Sequence, residues 1–390
     1  MYSILLAITY IAFISLGLPD SLLGAAWPTM APELSVPQSF AGIISMTISV
    51  FTILSTLLSD RLTRKFGTGA VTVASVLLTA IALVGFSLSR SFYLLLILAV
   101  PYGFGAGAVD AALNNYAAIH FKARHMSWLH CFWGLGATVG PYIMSYAISV
   151  GRGWQTGYGT VGIIQLLLAA GIFASLPLWK RSDRKEEVGI REARTGPREL
   201  LSMKGALPLV VAFFSYCALE TTAGLWASSY LVEVRGTDTV SAASYASLFY
   251  LGITAGRFIL GFAADKIGDK TMIRIGVLGI FAGIFMIALP SAGVTAALIG
   301  LVILGIGSAP IYPSIIHSTP SLFGKERSHA LVGIQMASAY TGSTLMSPAF
   351  GFLASFIGTR VYPLYLFLFA VILLVLTERV NRIFSRGCCE

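Results

Sequence analysis

About twelve stretches of some 20 apolar residues recur along the chain, each long enough to cross a bilayer as a helix. Hydrocarbon offers an open backbone no partner, so a crossing segment must close its own hydrogen bonds as a helix or join a closed barrel. The spans expected from apolarity are 4–23, 40–59, 68–88, 92–119, 127–150, 155–178, 206–232, 242–264, 272–289, 296–316, 330–356 and 362–380. Composition agrees: 56% of the 390 residues are hydrophobic, 11% are charged and the mean hydropathy is +0.81, against about 25% charged in a soluble domain. An all-α membrane protein of twelve transmembrane helices is expected.

Basic residues sort by connection. With the N-terminus inside, the inner connections hold 21 of the 26 lysines and arginines, eight of them between Lys180 and Lys204. Arg90, Arg152, Arg235 and Arg360 fall outside, and Arg257 falls within a span. The positive-inside rule then places both termini in the cytoplasm, with a bacterial inner membrane the expected location. The net charge of +9 is accounted for at an anionic leaflet, without nucleic acid. The first span is too long for a signal peptide and has no basic residue before it. Cys131 and Cys217 lie in spans, and Cys388 and Cys389 are adjacent at the terminus; no metal-ligand spacing occurs. No nucleophile or phosphate-binding constellation suggests an enzyme, and no cofactor is implied.

Three acids interrupt the apolar runs: Asp20, Asp110 and Glu220. An acid in a span costs about 2.5 to 3.5 kcal/mol or more, so such groups usually line a watery path or carry a proton or ion. Each also has a plainer reading. Asp20 follows Pro19 and could cap backbone groups freed by it. Asp110 follows Gly103, Gly105 and Gly107, small residues that permit close helix packing. Glu220 could pair with Arg257, and Arg257 could equally reach Asp265.

Internal duplication organises the chain. LLSDRLTRKFG is echoed by GFAADKIGDKT, matching Asp60 to Asp265; GFGAGAVDAALNN is echoed by GIGSAPIYPSIIH, matching Asp110 to Tyr312; and Pro141 in GLGATVGPYI matches Pro348 in TGSTLMSPAF. The expected domains are a six-helix bundle over 1–179, a cytoplasmic loop over 180–205 and a second bundle over 206–390. Parallel halves around a midplane cavity are a recurring transporter design. Asp60 and Asp265, closing helices at the inner face, can accept hydrogen bonds from a neighbouring helix N-terminus and bind arginines. The expected cytoplasmic gate is Asp60, Arg61, Arg64, Arg257, Asp265 and Lys266. In solvent these same charges would be topology signals contributing about 0 to 1 kcal/mol a pair.

The twelve spans and paired loop motifs resemble the major facilitator superfamily over essentially the whole chain. Asp60, Arg61, Arg64 and Lys65 match its loop motif in the first half, with Ser59 and Leu62 departing from the small residues there; Gly261, Asp265, Lys266 and Gly268 match it more fully in the second. The helix-7 run SYCALETTAGLWASSY, the run SWLHCFWGLGATVGP, Asp20 and Asp110 further resemble the fucose permease group. That resemblance implies proton symport of hexoses, with acids on helices 1 and 4 carrying coupling and binding; a sodium-linked glucose branch also belongs to the group.

Asp20, Asp110 and Glu220 are thus the expected proton-coupling acids, with sodium the alternative ion. Expected substrate contacts are Asn114, Asn115, His130, Trp133, Trp226, Tyr312, Gln335 and Tyr340, since a hexose needs donors and acceptors for its hydroxyls and an aromatic face for its ring. Asn115 could instead join helices, and a lone span histidine often only packs. The function expected is proton-coupled symport of a sugar or similar small polar solute by alternating access, one chain sufficing as a monomer. The rival is a proton-driven exporter, because Gly136, Gly140 and Pro141 resemble the antiporter glycine-proline motif. A non-transporting receptor would need no buried acids.

Overall fold

The structure, a computed structural model, describes residues 2–120, 123–183, 197–289 and 293–386. Among the described residues all regular structure is helical. The first crossing is α1 (Tyr2–Asp20) continued by α2 (Leu22–Glu33); α3 (Phe40–Phe66), α4 (Thr68–Leu88), α5 (Phe92–His120), α6 (Ala123–Ser149) and α7 (Gly153–Ala174) follow. Short helices α8 (Leu176–Asp183) and α9 (Pro197–Ser202) flank a linker outside the described residues, as are Cys388 and Cys389. The second set is α10 (Ala206–Arg235), the short α11 (Thr239–Tyr245), α12 (Ser247–Ile267), α13 (Asp269–Ala288), α14 (Gly293–Ser308) with α15 (Ile311–Phe323), α16 (Lys325–Ile357) and α17 (Tyr362–Arg386).

Among the described residues nine helical segments are long and apolar enough to cross a membrane. Three further long helices are α6, α12 and α16, parts of which lie outside the described side chains. They lie on the seam between the sets, where α6 packs on α12 and α16 on α3. A helix facing the opposite set and the water between need not match hydrocarbon all round, so these three can carry His130, Trp133, Arg257, Gln335 and Tyr340.

The duplicated motifs have duplicated packing. The backbone of α5 presses on α3 at Gly103 and on α4 at Gly105, where an added Cβ would strike Ile48 and Ser75 carbonyls. In the second set α14 presses on α12 at Gly305 and on α13 at Gly307. Hydroxyls of α3 fasten the first contact, Thr52 to the Gly103 carbonyl at 3.3 Å and Ser59 to the Ala108 carbonyl at 3.2 Å. Small residues and such hydroxyls replace the hydrophobic effect as the source of helix association in lipid.

The motif loops differ from expectation at their helix ends. Asp60 does not close its helix, because α3 runs on to Phe66 and stops at Gly67, whose φ of 83° suits a residue without a Cβ. The repeat does the same at Gly268, φ 77°, leaving Asp265 in the last turn of α12.

Towards the end of the bundle distant from the termini, each set pins its first helix to its last. Trp154 Nε1 donates to Glu33 Oε2 at 2.7 Å, and Thr359 Oγ1 donates to Glu233 Oε2 at 2.9 Å. The sets also meet closely there. A Cβ on Gly24 would lie 2.8 Å from the Leu225 carbonyl oxygen, and one on Gly42 2.7 Å from Pro348 Cα. Ser145 Oγ donates to the Val240 carbonyl at 2.9 Å.

Candidate functional site

Pro19 shapes the first helix at the site. Lacking an N–H, it frees the carbonyl of Ser15 four residues earlier, and the Gln165 side-chain amide of α7 donates to that carbonyl. The chain then bends at Ser21 between α1 and α2. Asp20 lies at this break and is exposed although it lies within a crossing segment. Its Oδ2 accepts a hydrogen bond of 2.8 Å from Trp133 Nε1 on α6. Asp20 therefore does not cap amides freed by Pro19; the group freed is a carbonyl, and Gln165 takes it.

Trp133 leads across the seam. The guanidinium of Arg257 on α12 lies over its ring, 5.6 Å from the centroid, and Arg257 Nη2 is 3.6 Å from Glu220 Oε1 on α10. Both side chains are largely buried, 12% and 18% exposed, so the pair shields each charge from an environment that would penalise it alone. Arg257 also meets the Tyr216 hydroxyl, which donates to the Ser308 carbonyl at 3.0 Å. Tyr250 stands edge-on to Trp133, centroids 6.3 Å apart, with its hydroxyl over Gly224. A continuous path Asp20, Trp133, Arg257, Glu220 thus joins an acid of the first set to an acid of the second. Arg257, expected at the cytoplasmic gate, belongs to this path.

Asp110 faces the same space. Asn114 Nδ2 donates to its Oδ1 at 2.9 Å, and Asp110 is within electrostatic reach of Asp20, Tyr312 and Tyr340. His130 lies between Phe13 of its own set and Tyr312 of the other, at 5.8 and 6.3 Å between centroids. Tyr340 reaches the Thr56 hydroxyl of α3 across the seam.

Two expected contacts stand apart. Trp226 is 1% exposed, donates to the Ser347 carbonyl at 3.0 Å and packs on Phe350; it holds α10 to α16. Gln335 is fully buried and bonded to Thr319 at 3.1 Å, joining α16 to α15. Arg61 is exposed. The side chains of Asp60, Arg64, Asn115, Asp265 and Lys266 lie outside the described residues. Tyr102, Tyr250 and Gln165 join the site without having been singled out as contacts; Gln165, a lone amide in GIIQLLLAAG, carried a readable signal.

Paired acids, a shielded cation and aromatic rings at a seam between two helix sets suit a carrier of small polar solutes. The sequence pattern of the Major Facilitator Superfamily matches residues 9–297 and 209–382, and the chain belongs to that family of transporters. It is an integral, multi-pass membrane protein and not an enzyme. It is 25% identical to the Bypass of stop codon protein 6 of Saccharomyces cerevisiae over 66% of this chain, spanning only 56% of the yeast protein. It is 22% identical to the glucose/mannose transporter GlcP of Bacillus subtilis, over 75% of this chain and 73% of that one. The fosmidomycin resistance protein of Escherichia coli is 24% identical over 74% of this chain and 73% of its own. Among solved structures, a bacterial homologue of the human lysosomal transporter Spinster, inward-facing and occupied, superposes with a TM-score of 0.70 at 14% identity over 99% of this chain and 98% of that one.

Proposed function

We propose that this protein is a proton-coupled symporter of a sugar or a similar small polar solute, working by alternating access with Asp20 as the coupling acid. The observation that carries the reading is the Asp20–Trp133–Arg257–Glu220 path, in which the solvent-accessible carboxylate touches the residue that bridges the seam. Protonation of Asp20 removes the charge that the indole N–H holds and so bears directly on the fit of the two sets. Asp110 with Asn114 offers acceptors and amide donors to hydroxyls, and Trp133, Tyr250 and Tyr312 offer ring faces to the apolar side of a pyranose. The likeness to a glucose/mannose transporter supports a sugar.

In this reading the basic connections lie inside, so the termini are cytoplasmic, and the proposed location is a bacterial inner membrane. The close contacts of α2 with α10 then lie on the outside. One chain holds the complete site, so a monomer suffices. The exporter reading draws on the fosmidomycin resistance protein. Gly136 and Gly140 do not favour it, because they press α6 against the Ile14 and Leu18 carbonyls of α1, a packing duty either type of carrier needs.

The test is uptake of radiolabelled hexoses and polyols into proteoliposomes under an inward proton gradient. Accumulation of one of them above equilibrium, collapsed by a protonophore, is the expected result. No accumulation of any, with ethidium moving against the proton flow, would replace the symporter with the exporter.

A further inference from the structure

One face of α17 changes character along its length. Leu364, Leu368, Val371, Val375, Arg379 and Arg382 follow at steps of three and four residues and so share that face. Leu364, Leu368 and Val375 are 67%, 52% and 57% exposed, as residues turned to lipid are, and Arg379 and Arg382 are exposed beyond them. Where the apolar residues give way to arginines, Leu374, Val375, Glu378, Arg379 and Arg382 line an open cleft of about 420 Å³.

The arginines of the cleft lack the partner that the sequence offers them. Glu378 stands four residues before Arg382, the favourable order for an ion pair along one helix. Both of its oxygens instead take the fork of Arg274 on α13, Nε to Oε1 and Nη2 to Oε2, each at 2.6 Å. Asp269, the acid that opens α13, meets His317 on α15 at 2.8 Å. Among the described residues neither Arg379 nor Arg382 has an ion pair or a hydrogen bond. Lys270 adds a positive charge within electrostatic reach of Glu378. Because Arg274 neutralises it, the carboxylate in the lining does not repel an anion as a free one would.

Depth selects the anion. At 1.5 Å per residue, Arg379 stands about 25 Å along the axis from Tyr362, the first residue of α17. With Tyr362 at one boundary of a hydrocarbon core about 30 Å thick, the guanidinium reaches the other boundary, the level of the lipid phosphates. A dissolved anion gains nothing from the apolar wall of the cleft. A phospholipid brings its phosphate to the guanidinium forks and an acyl chain to Leu374 and Val375. A zwitterionic headgroup would carry a cation of its own into this cluster, so a lipid of net negative charge fits better. We infer that the cleft binds an anionic phospholipid, with Arg379 and Arg382 on its phosphate and Leu374 and Val375 on the first part of an acyl chain. The inference is independent of which solute or ion the carrier moves.

The test is native mass spectrometry of the purified full-length protein in detergent, titrated with phosphatidylglycerol or with phosphatidylcholine of the same chains. Wild type is expected to bind phosphatidylglycerol about tenfold tighter or better, and Arg379→Gln and Arg382→Gln singly to weaken that binding about fivefold each. The double variant is expected to bind both lipids alike; the single variants decide the matter if it does not fold. Arg198→Gln, at an exposed arginine of α9, is expected to keep the preference. A preference unchanged in both single variants, or lost equally in Arg198→Gln, would mean attraction to the charged face as a whole and overturn the site. Displacement of the bound lipid by millimolar inorganic phosphate would overturn it as well, since the cleft would then hold a free anion.

Discussion

At the scale of single residues the site turns on Trp133, whose N–H holds Asp20 while its ring lies under Arg257. Trp133→Phe keeps a ring for the guanidinium and removes the donor. A hydrogen bond to a charged group is worth about 1.5 to 3 kcal/mol, so uptake is expected to fall about tenfold or more while the melting temperature changes little; unchanged uptake would remove Trp133 from the coupling path. Arg257→Gln acts differently, leaving Glu220 ionised without its partner. Breaking such a pair destabilises by about 3 kcal/mol or more. The thermal midpoint is expected to drop in Arg257→Gln and to recover in the double variant with Glu220→Gln; a double variant no better than the single would show that the pair does not support the fold. The three acids were legible in the sequence because a charge in an apolar run is conspicuous. Their connections were not, since Trp133 meets Asp20 across 113 positions and helical period alone says nothing about partners so distant. The same limit put Trp226 among the substrate contacts, where an indole packing between α10 and α16 has the same sequence signature as one facing water.

Among elements, apolar length gave most of the helices, and the duplicated glycines anticipated the matching contacts of α5 and α14. Helix ends were harder to read. Asp60 stands more than a turn inside α3, because Gly67, and not the acid, supplies the left-handed backbone that lets the chain turn. The breaks at Ser21 and between α14 and α15 depend on Pro19 and Pro310 in context, and composition passes over them. Gly24 tests the closed far end. Gly24→Val would press a side chain into the Gly224 and Leu225 carbonyls, so α2 and α10 are expected to part. In a cysteine-free background, a cysteine placed at Ser145 should then react faster with an impermeant maleimide, and uptake should fall; unchanged labelling would show that this contact does not close the molecule. Asp238 offers a separate check. It caps α11 by accepting from the Ser241 N–H at 2.9 Å, and that bond holds its carboxyl below the usual carboxylate range. The depressed value means that the cap contributes fully above the ordinary pKa and is lost as pH falls through the lowered one. Asp238→Ala should therefore cost about 1 kcal/mol at neutral pH and progressively less in strong acid, as read by thermal melts across pH.

For the whole molecule, two helix sets meet tightly at the far end and share a polar path where an acid of each set approaches the seam. Helices α6 and α12, and α16 with α3, form this seam. Such an arrangement couples an ion to a movement only if the charge of Asp20 decides which fit of the two sets is favoured. Solute exchange across proteoliposomes at equal pH on both sides needs binding and movement but no net proton flow, whereas accumulation under a proton gradient needs coupling. Measuring both in Asp20→Asn, beside the wild type and with the solute found in the uptake panel, is the most direct test. The account predicts that accumulation is lost while exchange persists; accumulation at the wild-type level in Asp20→Asn would contradict it.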